Sequence, residues 1–144
     1  MRRLVTRLVL LGSGAVLGMI GSALMIAPKA FLQTSHVFIE TDPGLMSELA
    51  APGGLLIVTA ALMLIGAIKF NFANLALGVG AVVYGSYGIG RVVSMVLHGL
   101  PSQSLILATL IEVSIAVVLG VLWLTAQRKK PEFKINPRLV QANI

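Results

Sequence analysis

Cysteine is absent from this 144-residue chain. That absence excludes a disulfide, a thiolate metal site and a cysteine nucleophile. Charge is also scarce. Asp, Glu, Lys and Arg make up 11% of the residues, against about 25% in soluble domains. So little charge cannot cover a globule with water-seeking side chains. Acids are scarcest: five Asp and Glu stand against eleven Lys and Arg, for a net charge of +6. The basic surplus sits at the chain ends and flanks apolar runs. It does not line one folded face, which argues against nucleic acid and for a membrane-orientation signal.

What is present is apolar, at 57% of the residues. Four long apolar runs cover about 8–27, 49–68, 72–97 and 105–126. At 1.5 Å per residue, about 20 helical residues span a hydrocarbon core of roughly 30 Å. Membrane strands would alternate polar with apolar residues, and these runs do not. The expected fold is all-α: an integral membrane four-helix bundle over residues 1–127, followed by a basic tail at 128–144. The first run is preceded by Arg2 and Arg3. It exceeds the 7–15 apolar residues of a signal peptide and is followed by a poor cleavage site, so it is read as a retained helix.

Orientation follows from the basic residues flanking the runs. Arg2, Arg3, Arg7, Lys69, Arg128, Lys129, Lys130, Lys134 and Arg138 fall on one side, and only Lys29 falls on the other. Both termini are therefore expected in the cytoplasm and the protein in the plasma membrane, bacterial inner membrane being the expectation. His36 and His98 would lie outside. The connection over 28–47 is punctuated by Pro28, Pro43 and Gly44, with a short amphipathic turn expected at 30–32. The tail at 131–144 is too polar to fold on itself and is expected to dock on a partner subunit.

Glycines mark packing faces. Gly14, Gly18 and Gly21 lie in the first run, and Gly78, Gly85 and Gly88 in the third. Small residues let helix backbones approach in a bilayer. Gly78 and Gly80 do not make a nucleotide loop, because no strand precedes them.

A polar stripe occupies the third run. Tyr84, Tyr87, Arg91, Ser94 and His98 are spaced by three, four, three and four residues, which places them on one helix face. Glu112 in the fourth run falls at nearly the depth of Arg91, across a short loop. An Arg91–Glu112 ion pair is the simplest way for a bilayer to tolerate both. Glu48, at the start of the second run, is expected as a third member. If that helix starts at Ser47, Pro52 disturbs its first turn. His36, Asp42 and His98 lack metal-ligand spacing, and Ser94 with His98 lacks the third group of a nucleophilic site. No cofactor, metal or catalytic residue is assigned. Trp123 stands where an interfacial anchor belongs.

The residues 46–54, then Arg91-Val92-Val93-Ser94, His98-Gly99-Leu100-Pro101 and Glu112 resemble a bacterial membrane family known as domain of unknown function 4345. The resemblance covers about residues 5–126 and implies four helices in this order. Glu48, Gly53, Gly54, Arg91, Ser94, Pro101 and Glu112 stand as in the family pattern. Ala50 stands where arginine is common, Pro52 where tyrosine is common and His98 where aspartate is common. These departures remove polar groups from the site. Two functions are carried forward: an accessory or scaffolding subunit with lipid and protein partners, and a small-molecule or lipid binder, transporter or enzyme built around Glu48, Arg91 and Glu112.

Overall fold

The computed structural model describes residues 1–128. The docking expected of the tail beyond them lies outside the described residues. Four long helices, α1 (Arg2–Ile26), α3 (Pro43–Ile68), α4 (Ala73–His98) and α5 (Gln103–Gln127), are joined by a short α2 (Pro28–Gln33) and a 3-10 turn (Phe70–Phe72). No strand occurs among the described residues. Each long helix is long and apolar enough to cross a membrane.

Three of the four long helices begin earlier than hydropathy suggests, α1 and α3 for local reasons. α1 extends back through Arg7 to Arg2, because arginine is a good helix former and a basic first turn does not break a helix. α3 starts at Pro43, not Leu49. Asp42 caps it, its side chain accepting a hydrogen bond from the Leu45 N–H at 2.9 Å. Pro43 fills the first helical position, where no N–H is missed. Pro52 therefore sits in the helix interior and not in the first turn. The loop expected over 28–47 shrinks accordingly, with α2 at its start. At the far end of α4, Gly99 adopts φ 91°. Only glycine enters that left-handed region at no steric cost, and there the chain leaves the helix.

The helices run up and down in two close pairs. α1 crosses α3 where Gly21 faces Gly53. A Cβ on Gly21 would lie 2.7 Å from the Gly53 carbonyl oxygen, and one on Gly53 would lie 2.8 Å from that of Gly21. The two backbones touch there. α4 packs on α5, with Gly88 against Val113 and Gly78 under the Trp123 indole. α3 joins the pairs through Gly66 against Ala76 and Gly80 against Met63. The core between them contains Leu10, Leu56, Met63, Leu77, Tyr84 and Leu119, all buried. α5 is the least covered of the four long helices, with only Thr109, Glu112 and Leu119 buried.

Two expected packing residues make looser contacts than the rest. Gly85 has only Ala116 near it, at 3.9 Å, and Gly18 approaches Ala60 without backbone contact. Gly53 and Gly66 make tight approaches that spacing alone does not single out, and Gly80 lies close to Met63 and Leu119. Trp123 lies partly buried against the core, over Gly78. Two buried threonine hydroxyls are satisfied within their own helices: Thr59 donates to the Leu55 carbonyl and Thr109 to that of Leu105. In a bilayer no water is available to do this.

Candidate functional site

The polar stripe of α4 divides into three parts. At its buried end, Tyr84 is 2% exposed and its hydroxyl donates to the Ser13 carbonyl oxygen of α1 at 2.6 Å. The Ser13 hydroxyl in turn donates to the Val9 carbonyl. Tyr84 therefore ties α4 to α1. The spacing put Tyr84 on the stripe but could not show that it faces a different helix from Arg91.

Two turns further along, the Arg91 Nε–H donates to Glu112 Oε2 of α5 at 2.9 Å. This is the only ion pair among the described residues. The Glu112 side chain is 11% exposed and that of Arg91 33%. The carboxylate is thus the sequestered partner, and the guanidinium covers it from the outside. A carboxylate at this depth is costly without an opposite charge. Arg91 spends only Nε on it; its Nη nitrogens make no protein hydrogen bond among the described residues.

Beyond the pair the stripe opens. Ser94 and His98 are exposed, and Tyr87, one turn before Arg91, is half-buried. A shallow groove, open along its length, is lined by Ser86, Tyr87, Gly90, Arg91 and Ser94. Glu48 stands outside the group, exposed and without a hydrogen bond or ion pair among the described residues. The reason is helical phase: Glu48 shares a face with exposed Ala51 and Leu55, off the α3 stripe of Gly53, Leu56, Ala60 and Met63 that is buried. The expected three-membered cluster is therefore a two-membered ion pair. No three His, Asp or Glu side chains converge among the described residues in a way that could hold a metal. His36 and Asp42 remain exposed in the α2–α3 connection.

The chain matches one described family, domain of unknown function DUF4345, over residues 5–124. The chain belongs to that family. The match takes in both partners of the ion pair and all of α3 and α4. Searches among curated proteins and solved structures give no match.

The sequence reading missed the terminal end of the bundle. There Arg2 Nη2 donates to Thr125 Oγ1 at 3.3 Å, and the Arg3 guanidinium lies over the Phe70 ring, 5.2 Å from its centre. Buried Asn74 Oδ1 has no hydrogen-bond donor. Arg2 and Arg3 were read only as orientation signals, because charge counting does not show what a charged side chain touches.

Proposed function

We propose that this protein is an accessory or scaffolding subunit of a larger membrane complex, with both termini in the cytoplasm and its helices in a bacterial inner membrane. The observation that carries this reading is how the intramembrane polar groups are used. Tyr84 joins α4 to α1, and Arg91 joins α4 to α5. Each bond links two helices, and the groove beside Arg91 is open along its length. Interhelical bonds of this kind fix packing and register. The sparse burial of α5 adds support, because that helix offers a long side to a neighbouring protein. The basic residues of the termini and of Lys69 support the orientation.

The test is site-specific photocrosslinking in the native membrane. A photoreactive residue at Val117, exposed on α5, should yield one discrete adduct of higher mass. The same residue at Val58, exposed on α3, should yield none. Lipid adducts alone at both positions would overturn the proposal.

A second reading rests on one specific observation: Arg91, whose Nη groups make no protein hydrogen bond among the described residues, lines an open groove with Tyr87 and Ser94. An anionic small molecule or lipid could accept from those Nη groups. Arg91→Lys, which keeps the charge and removes the planar fork, should then weaken such a ligand while the fold persists.

A further inference from the structure

We propose that the terminal end of the bundle holds a specific site for an anionic glycerophospholipid whose headgroup carries a hydroxyl, the phosphatidylglycerol class. A half-enclosed cavity of about 450 Å³ lies there between α1, α4 and α5, with Arg2, Arg3, Thr6, Asn74, Leu77 and Leu122 in its wall. Its size falls within the roughly 300–1,000 Å³ of small-ligand sites.

Three features define the ligand. The first is charge. Two guanidinium groups border the cavity, and neither pairs with a carboxylate among the described residues. Both are held in place by a second contact, Arg2 by the Thr125 hydroxyl and Arg3 by the Phe70 ring. An arginine so positioned presents its remaining N–H groups to phosphate with little ordering left to do. The second is the unpaired acceptor. Asn74 lines the cavity, and its buried Oδ1 lacks a donor. A phosphate cannot supply one, since it only accepts. A headgroup hydroxyl beside the phosphate can. The third is the apolar wall. Leu77 and Leu122 line the side leading into the spans, where the ester and first acyl carbons would lie. A free phosphate leaves that wall uncovered, and a zwitterionic choline headgroup supplies no hydroxyl. Basic pockets between membrane helices at the positively flanked side are established lipid-headgroup sites in general. This site is independent of the Arg91 groove, which lies at the other end of α4.

The experiment uses the purified full chain in neutral detergent and native mass spectrometry. Phosphatidylglycerol, phosphatidylcholine and phosphatidylmethanol are compared with matched acyl chains, and inorganic phosphate is added alone. Phosphatidylmethanol has the same charge as phosphatidylglycerol and lacks the hydroxyl. Phosphatidylglycerol should bind about tenfold more tightly than either lipid, the effect of one charge-assisted or buried hydrogen bond. Arg2→Gln with Arg3→Gln should remove the preference over phosphatidylcholine. Asn74→Leu should remove the preference over phosphatidylmethanol alone. Arg2→Lys with Arg3→Lys keeps the charge and should retain part of the affinity, which separates loss of the site from loss of the fold. Equal binding of all three lipids, a preference untouched by the Gln pair, or inorganic phosphate competing as well as the lipid would each overturn the proposal.

Discussion

The ion pair is asymmetric. Glu112 is buried and Arg91 is one-third exposed, so the two partners are not equivalent on removal. Arg91→Gln leaves a carboxylate without its counter-charge and should cost about 3 kcal/mol, the low end for buried pairs because the arginine is partly exposed. Glu112→Gln leaves the more exposed partner behind and should cost less. Removing both should cost less than the sum. Reversible unfolding in mixed micelles of the single and double variants measures all three, and additive losses would show that the charges do not couple. Tyr84→Phe removes one buried hydrogen bond to a carbonyl and should cost about 1 kcal/mol. The pairing of Arg91 with Glu112 was legible in the sequence, because a short loop and a fixed rise per residue set both at one depth. The Tyr84–Ser13 bond was not legible. It depends on which helices are neighbours across the bundle, and no local spacing encodes that. Glu48 stands apart because it lies off the buried face of α3, and its position at the start of an apolar run does not reveal that phase.

The close approach of Gly21 and Gly53 sets how tightly α1 and α3 can pack. A methyl group at Gly21 would meet a backbone carbonyl, which cannot rotate away. Gly21→Ala should therefore separate the helices and destabilise by about 1–3 kcal/mol. Gly12 lies in the same helix with nothing within 4 Å of an added Cβ. Gly12→Ala should be neutral or stabilising by up to about 1 kcal/mol, through helix propensity. Thermal unfolding followed by circular dichroism separates the two, and equal melting shifts would mean that the crossing is loose. Four long helices were visible as apolar runs because their composition leaves no other element. Their ends were displaced where caps and basic residues, which hydropathy does not weigh, extend a helix. Of the glycines, spacing picked out Gly21 but not Gly53, since Gly53 matters only through what lies across from it.

The molecule places its N-terminus, the 69–72 turn and the end of α5 together, as the Arg2–Thr125 and Arg3–Phe70 contacts require. The α2–α3 connection and the 99–102 loop meet at the opposite end, where the Ser102 hydroxyl donates to the Ser35 carbonyl. The proposed orientation follows this division. Because cysteine is absent, single cysteines at Ser35, Ser102 and Asn71 report each end without background. Ser35→Cys and Ser102→Cys should react with an impermeant thiol reagent from the outer side, and Asn71→Cys should not. The reverse pattern would invert the proposed topology. The ion pair also bears on how the chain enters a membrane. During synthesis Arg91 emerges 21 residues before Glu112, roughly one to four seconds at 5–20 residues per second. For that interval α4 carries a lone cation with no counter-charge. On this hypothesis α4 waits at the insertion machinery until α5 arrives, and the two partition into lipid as one hairpin. Nascent chains arrested before Glu112 should then leave α4 at the insertion machinery, and free partitioning of such chains into lipid would rule the hypothesis out. An ion pair that holds two finished helices together would thereby act earlier, as the checkpoint that commits them to the bilayer.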